Sequence, residues 1–129
     1  MNKKTVFQKI IDRDIPANIW YEDDSSIAFL DIDPISPGHT LFITKTPYRW
    51  IQNVPADELG TLFSKVPDLT KKLKSATDSD FIQLSVVGTD VPHFHLHLIP
   101  RNFDDNTNEL YPSENLDYDR EQLFAGLKS

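Results

Sequence analysis

Three histidines alternate with apolar residues in the stretch His93-Phe94-His95-Leu96-His97-Leu98-Ile99. Successive side chains of a β-strand point to opposite faces, so an extended chain places His93, His95 and His97 side by side. The rise per residue spaces neighbouring imidazoles by about 6 to 7 Å. Burying such a row costs free energy unless each ring finds a partner. The row is therefore a candidate for chemistry.

Three interpretations of this row stay open from the residues alone. The rings could form the solvent-facing stripe of a half-exposed strand. They could be ligands of zinc or iron, because neutral imidazole binds both metals. They could act on phosphate, because a neutral imidazole is a good nucleophile near pH 7 and a protonated neighbour can bind an oxygen or protonate a leaving group.

The surrounding elements predict an α+β domain in which consecutive strands form an antiparallel sheet. Apolar residues at helical spacing predict one long helix between residues 55 and 76, and Pro67 should kink or split it because proline lacks an N–H group. A short N-terminal helix is predicted over residues 6–11, a polar loop over 102–115 and a last short helix over 119–127. The five predicted strands cover residues 19–21, 26–32, 40–44, 81–87 and 91–99.

Composition limits the class of protein. With 129 residues the chain predicts a single domain, 1–129, and its net charge of −7 argues against a general nucleic-acid surface. The sequence has no cysteine, which removes disulfides, thiolate nucleophiles and cysteine-bound zinc. No apolar run reaches the length of a membrane span, and the charged residues 1–12 are unlike a secretory signal. We therefore expect a cytoplasmic protein with no membrane partner.

The segment 88–101 resembles the signature of the histidine-triad (HIT) family, His-φ-His-φ-His-φ-φ, where φ is apolar. It is most similar to bacterial members, in which a glycine-led turn and Val-Pro precede the triad and Pro-Arg follows it. Residues 15–17, 21–24, 28–32 and 37–40 look like family positions in the same order. The resemblance spans about residues 5–101 and leaves 102–129 as a C-terminal extension.

The resemblance implies a role for each of the four histidines of the chain. His95 would be the nucleophile that forms a nucleotidyl-histidine intermediate. His97 would contact the α-phosphate and help the leaving group, and His93 would lie behind His95 and hold it. His39 matches a fourth active-site histidine of the family.

The resemblance also implies a nucleotide pocket around the histidines. Asp31 matches the acidic residue that binds the ribose hydroxyls. Gly88, Thr89, Asp90 and Val91 resemble the turn that approaches the phosphate, where glycine lets the backbone come close. Ordinary core packing is an equally good interpretation of the residues that match the apolar walls around the base, which are Phe7, Ile10, Ile15, Phe29, Ile32 and Leu41.

The sequence departs from the family pattern at two places. Many bacterial relatives build a zinc site from Cys-x-x-Cys and a later Lys-x-His, but the corresponding positions here are Thr5, Gln8 and Pro47, so we expect no metal. The loop before Gly88 is shorter and lacks an asparagine, and Thr89 stands where the family has glutamine. Asp90 then places a carboxylate beside the expected phosphate, which affects rate and leaving-group preference.

The sequence thus predicts a HIT-like fold and a hydrolase or transferase acting at the α-phosphorus of purine nucleotide conjugates, either phosphoramidates or dinucleoside polyphosphates. No cofactor is expected, and a homodimer is expected by family analogy. Two alternatives remain. One is a nucleotide-binding regulatory protein with weak or no catalysis, and the other is a metal-dependent enzyme that uses the three histidines as ligands.

Overall fold

The computed structural model describes residues 3–105 and 116–129. Residues 106–115, most of the predicted polar loop, lie outside this part of the chain. The helices are α1 (Val6–Ile11), α2 (Ala56–Ser64), α3 (Val66–Thr77) and α4 (Arg120–Lys128), with a short 3₁₀ turn at Ile51–Asn53. The strands are β1 (Ile19–Glu22), β2 (Ser26–Leu30), β3 (Thr40–Thr44), β4 (Phe81–Ser85) and β5 (His95–Arg101).

The five strands form one antiparallel sheet in the order β1-β2-β3-β5-β4. Strands β1 and β2 make the predicted hairpin, while α2 and α3 carry the chain from β3 to the far edge at β4. Strand β5 then returns between β3 and β4, so the histidine-bearing strand lies inside the sheet. The α+β class and the five-stranded antiparallel sheet are confirmed.

The two faces of the sheet pack against different elements. Phe42 and Leu96, which are register partners, face the main core with Leu62 and Leu73 from the helices α2 and α3. The opposite face carries a second cluster that includes Phe7 and Ile10 from α1. Because side chains alternate along β5, the imidazoles of His95 and His97 lie on the face of α1, away from α2 and α3.

The predicted long helix is two helices. Helix α2 ends at Ser64 and α3 starts at Val66, with Lys65 between them at φ −90° and ψ −15°. Pro67 lies in the first turn of α3, where its missing N–H removes no helical hydrogen bond. Proline therefore splits the apolar stripe into two segments, which is the outcome that its position predicts.

The prediction that the fifth strand begins at residue 91 is wrong. Strand β5 starts at His95, which pairs with Ile43, and the residues before it leave the sheet. The N–H of His93 bonds to the Val91 carbonyl at 2.8 Å, and the N–H of Phe94 bonds to the Tyr48 carbonyl at 2.6 Å. Pro92 has no N–H group that could donate to a neighbouring strand, so this segment forms a local turn. His93 therefore lies outside the strand.

Helix α4 fastens the C-terminal segment to the end of β2. Asp119 caps the helix by accepting the N–H of Gln122, and Arg120 then reaches back across the sheet edge. Its guanidinium donates to the carbonyls of Asp31 and Leu30 at 3.0 and 3.2 Å. No helix in residues 3–105 or 116–129 has the length and apolar character needed to cross a bilayer.

We expect Arg120→Met to lower the free energy of unfolding by about 2 kcal/mol, because two main-chain carbonyls lose a charged donor. Urea unfolding followed by circular dichroism measures this change. Glu121→Gln, at the exposed next position, is the control and should change stability by less than about 0.5 kcal/mol. Equal effects of the two substitutions would contradict the role given to Arg120.

Candidate active site

Four imidazoles lie together on the α1 face of the sheet, and those of His39, His93 and His95 are buried, whereas His97 is partly exposed. The side chains of His95 and His97 project from β5, and their ring centroids are 4.9 Å apart. The ring of His39, at the entry to β3, is centred 5.1 Å from that of His97. His93 is fully buried before β5, and its ring lies 5.9 Å from Phe7. The structure thus brings all four predicted histidines into one region, although only two of them share a strand.

The tautomer of His95 is set by the main chain. Its Nδ1 lies 2.7 Å from the carbonyl oxygen of His93, which can only accept, so Nδ1 carries the proton. The Nε2 atom then holds a lone pair, and it has no hydrogen-bond partner although it is buried. Phe7 packs edge-on against the same ring at 4.9 Å. An oriented, unprotonated nitrogen of this kind is what an imidazole nucleophile requires.

A second chain of hydrogen bonds sets the tautomer of His97. The N–H of Ile35 donates to Nδ1 of His39 at 3.0 Å, so the proton of neutral His39 is on Nε2. That Nε2 lies 2.9 Å from Nδ1 of His97 and donates to it. Neutral His97 therefore carries its own proton on Nε2. The N–H of a loop residue thus leaves His97 with a free donor next to the lone pair of His95.

Burial keeps the rings of His39, His93 and His97 in the neutral form. Loss of solvation, followed by the neighbouring imidazoles of His97 and His95, lowers the pKa of His39 to about 3. Burial likewise lowers the pKa of His97, with a smaller contribution from His95, and it lowers the pKa of His93. At pH 7 these three rings act as hydrogen-bonding groups without a charge.

Asp31 lies at the end of β2, beside the histidines. Its Oδ2 is 3.6 Å from Nε2 of His39, and its Oδ1 accepts the N–H of Asp33 at 2.9 Å. The main-chain carbonyl of Asp31 is held by Arg120. The carboxylate is 17% exposed, so one side of it remains open to a ligand.

The apolar residues predicted around the base divide into two groups. Five of them and Val91 belong to the cluster on the α1 face, namely Phe7, Ile10, Ile15, Phe29 and Leu41. Ile32 does not belong to it, because its side chain is 84% exposed. The cluster forms a buried floor under the histidines, while Ile32 stands next to Asp31 as an open apolar surface.

The turn before His93 passes over the nucleophile candidate. Gly88 has φ +82°, and a Cβ atom there would meet the Trp50 ring at 3.2 Å, so both conformation and space favour glycine. Thr89 is exposed. The carboxylate of Asp90 lies 3.4 Å from Nε2 of His95 and is 65% exposed. The predicted phosphate-facing turn thus places a carboxylate at the atom expected to attack.

The histidines do not offer a well-formed metal site. Nε2 of His93 and Nδ1 of His95 both donate to main-chain carbonyls. Among the described residues, ligand atoms converge only in the group Asp31, His39 and His97. A metal on Nε2 of His39 would put the ring proton on Nδ1, against the N–H of Ile35 that donates there. The hydrogen bonds therefore disfavour the three-histidine metal interpretation.

The positions of the relatives' zinc site do not fit a metal either. The hydroxyl of Thr5 caps α1 by accepting the N–H of Gln8 at 3.1 Å, and Pro47 has no side-chain donor atom. Hydroxyl, amide and proline side chains replace the thiolates and imidazole that zinc prefers.

Two groups that shape the site were not singled out from the sequence. The N–H of Ile35 fixes the tautomer of His39 through a main-chain atom, for which a sequence carries no signal. Arg120 holds the backbone of Asp31 from 89 positions away. In the sequence, the capping residue Asp119 indicates the start of α4. It does not indicate that the side chain of Arg120 contacts the main chain of Asp31.

We expect protein stability to decline as the pH falls from 6.5 to 5, partly through His39. The folded-state pKa of His39 is below the ordinary 6.5, so the unfolded chain binds the proton first and stabilisation present above pH 6.5 is lost on acidification. One such histidine contributes up to about 1.4 kcal/mol per pH unit. His39→Asn should flatten this slope in urea unfolding, and parallel pH curves for the two proteins would contradict the assignment.

Comparison with known proteins agrees with this geometry. The sequence model of the HIT domain matches residues 12–104. An adenylylsulfatase of Arabidopsis thaliana is 38% identical over 101 residues, which cover 74% of this chain and 51% of that protein. The purine nucleoside phosphoramidase of Escherichia coli is 32% identical over 105 residues, covering 77% of this chain and 88% of that protein.

A solved structure shows the same fold. The crystal structure of a Hit-like protein involved in cell-cycle regulation from Bartonella henselae aligns with a TM-score of 0.81 at 31% identity. The alignment covers 98% of this chain and 93% of that one. Fold, histidine cluster and sequence agree, and the chain belongs to the HIT domain family.

Proposed function

We propose that this protein hydrolyses or transfers nucleotidyl groups at the α-phosphorus of purine nucleotide conjugates, through a covalent bond to His95. The observation that carries the proposal is Nε2 of His95, which is buried, has no hydrogen-bond partner and holds the lone pair of the neutral ring, because Nδ1 donates to the His93 carbonyl. HIT relatives that are named as an adenylylsulfatase and a purine nucleoside phosphoramidase support this class of reaction.

In the first step the Nε2 lone pair of His95 forms a bond to the α-phosphorus. The bond from phosphorus to the leaving group breaks, and its electron pair departs with that group, which takes up a proton from the solvent. The imidazole keeps its Nδ1 proton and gains positive charge, which the His93 carbonyl stabilises. His97 donates its Nε2 proton in a hydrogen bond to a phosphoryl oxygen or the leaving atom.

In the second step water attacks the phosphorus of the nucleotidyl-histidine. The new O–P bond forms, the Nε2–P bond breaks and its electron pair returns to His95, while the proton lost by water replaces the one taken up earlier. The nucleoside monophosphate and the protonated leaving group are the products. An alcohol or amine in place of water would make the same step a transfer.

The nucleoside part of the substrate would lie across Asp31 and Ile32. The carboxylate of Asp31 accepts hydrogen bonds from ribose hydroxyls. The exposed Ile32 covers one face of the base, and the cluster around Phe7, Ile10, Ile15, Phe29 and Leu41 supports the pocket from below. Gly88, Thr89, Asp90 and Val91 form the turn beside the α-phosphate.

A nucleotide-binding regulatory role is the second candidate. One observation favours it, because the Asp90 carboxylate lies 3.4 Å from the attacking nitrogen, where it opposes an incoming phosphate. Such a protein would bind the nucleotide with little turnover. Measurement of the covalent adduct separates the two candidates.

We further propose that the protein is a single-domain homodimer that works in the cytoplasm, where the dimer is expected by analogy with the HIT family. Strand β4 is an edge of the sheet, and its outer main-chain groups have no strand partner among the described residues. Apolar side chains are exposed on and just after it, with Leu84 46%, Val86 43% and Val87 58% exposed. An open edge with apolar side chains favours pairing with a second copy.

We expect His95→Asn to abolish the covalent adduct and to reduce kcat at least about a thousandfold, because the nucleophile is lost. Mass spectrometry after incubation with adenosine 5′-phosphoramidate detects the adduct. His97→Gln keeps an N–H donor and leaves the nucleophile in place, so the adduct should still form. Turnover should be slower, because the imidazole that donates to the phosphate or the leaving atom is lost. Turnover by His95→Asn at the wild-type rate would remove His95 as the nucleophile, and nucleotide binding without any wild-type adduct would favour the regulatory role.

We expect Val86→Lys to convert the dimer into a monomer, because a lysine at the edge adds charge to the proposed contact. Analytical ultracentrifugation measures the mass of each species. Val6→Lys on α1 is the matched control, since both valines are 43% exposed. A wild-type protein that sediments as a monomer would exclude this interface.

A further inference from the structure

Asp90 places a negative charge at the mouth of a site proposed to bind phosphate. Its Oδ1 lies 3.4 Å from Nε2 of His95, and the side chain is 65% exposed at the surface of the turn. In the part of the chain that the structure describes, no lysine or arginine nitrogen lies within 4.0 Å of this carboxylate. No permanently charged side chain in that part of the chain therefore neutralises its charge, and its ion-pair contact is with the imidazole of His95.

The charge of Asp90 reaches the leaving group whatever the orientation of the substrate. In a near-attack complex the phosphorus is about 3 to 3.5 Å from the attacking nitrogen. Adding the 3.4 Å from Nε2 to Oδ1 places the phosphorus within about 7 Å of the present position of the carboxylate. The leaving atom, one bond further, lies within about 9 Å, close to the screening length of about 8 Å at physiological salt.

The other groups around the reacting centre do not offset this charge. The imidazoles of His39 and His97 are kept neutral by burial. Asp31 adds a second carboxylate beside His39. The site therefore binds the α-phosphate by hydrogen bonds from neutral donors. Each further negative charge on the ligand meets repulsion from Asp90, which has no lysine or arginine partner within residues 3–105 and 116–129.

We propose that Asp90 is a specificity-determining residue that selects nucleotide conjugates by the charge of their leaving group. Conjugates with a neutral or cationic leaving group, such as amines in phosphoramidate linkage, are accepted. Conjugates with an anionic leaving group, such as sulfate or a further phosphate, are disfavoured. This inference rests on the proposed function, and it names the substrate class of that site.

The size of the effect follows from Coulomb's law. Two negative unit charges about 8 Å apart, in a medium between protein surface and water, repel each other. This repulsion weakens the binding of a ligand that carries one extra negative charge by a factor of about three to ten. Removal of the Asp90 charge should therefore raise, by that factor, the affinity for a conjugate with one extra negative charge relative to a conjugate without it. The effect should shrink at high salt, because the carboxylate is exposed.

The test compares D90N with the wild type on two substrates with the same nucleoside. Adenosine 5′-phosphoramidate releases ammonia, and adenylylsulfate releases sulfate. D68N is the matched control, because it removes the same charge from an exposed position on α3, which packs against the opposite face of the sheet. The measured quantity is the ratio of kcat/KM for adenylylsulfate to that for the phosphoramidate, at low and at high salt.

We expect D90N to raise this ratio about three- to tenfold at low salt, D68N to leave it within about 1.5-fold, and high salt to bring wild type and D90N together. Two active substrates with an equal ratio in wild type and D90N would overturn the inference and leave the proposed function intact. Equal increases for D90N and D68N would assign the effect to net charge and also overturn it.

Binding provides a readout that does not depend on turnover. ADP carries a phosphate beyond the α-phosphorus that AMP lacks, so calorimetry of both ligands repeats the comparison without chemistry. The Kd of ADP relative to AMP should fall about three- to tenfold in D90N and stay unchanged in D68N. Absence of an adduct and of turnover together with this binding shift would reject catalysis and retain the charge selection, whereas an unchanged Kd ratio would reject the selection.

Discussion

The hydrogen bond from Nδ1 of His95 to the carbonyl of His93 is the interaction on which the site depends. A carbonyl can only accept, so this contact decides which ring nitrogen is protonated and leaves the other with a lone pair. The carbonyl faces the ring because the chain leaves the sheet just before β5. In a regular strand the same oxygen would belong to the hydrogen-bonded ladder, and the tautomer of His95 would be set by another group.

The tautomers of the neighbouring imidazoles are also fixed by the main chain, but by a donor instead of an acceptor. A main-chain N–H, that of Ile35, can only donate, and it forces the proton of His39 and then that of His97 onto Nε2. One main-chain acceptor and one main-chain donor therefore produce a lone pair and an N–H side by side. Burial keeps the assignment stable at neutral pH, because it lowers the pKa of His39 and His97. The site obtains two different chemical functions from one type of side chain.

This arrangement suits an acidic protein. A chain with net charge −7 has no general attraction for anions, and His39 and His97, whose pKa values are lowered by burial, add no cation beside His95. Affinity for a phosphoryl group must then come from oriented N–H dipoles in a partly dry site. Carboxylates at Asp31 and Asp90 frame the site, and they limit how much further negative charge a ligand can bring. Because neutral N–H donors bind the phosphoryl group while carboxylates repel further negative charge, the charge of the leaving group becomes important for binding.

The sequence by itself determined the number of strands and their antiparallel class, the split helix and the grouping of the histidines, but not where the fifth strand begins. Alternation placed His95 and His97 on one face, Pro67 divided α2 from α3, and the motifs near Pro37 and Gly88 predicted that His39 joins the triad. The first two features depend on local periodicity and on the conformational limits of proline, which act over a few residues. The place of His39 was implied by the family resemblance alone. Of the apolar positions that the family resemblance marked, Phe7, Ile10, Ile15, Phe29 and Leu41 lie in one cluster under the histidines, whereas Ile32 is exposed and lies outside it.

The tertiary structure decided the protonation pattern, the place of His93 and the reach of Arg120. His93 was expected on the strand, but Pro92 and the Tyr48 carbonyl turn the chain before β5 begins. The partners that fix the tautomers are main-chain atoms of Thr44, Ile35 and His93, which are the same in every residue type and leave no mark in a sequence. The 3.4 Å approach of Asp90 to His95 likewise depends on how the Gly88 turn packs on Trp50. Sequence patterns specify which side chains are available, whereas hydrogen bonds between distant segments exist only once the sheet has formed.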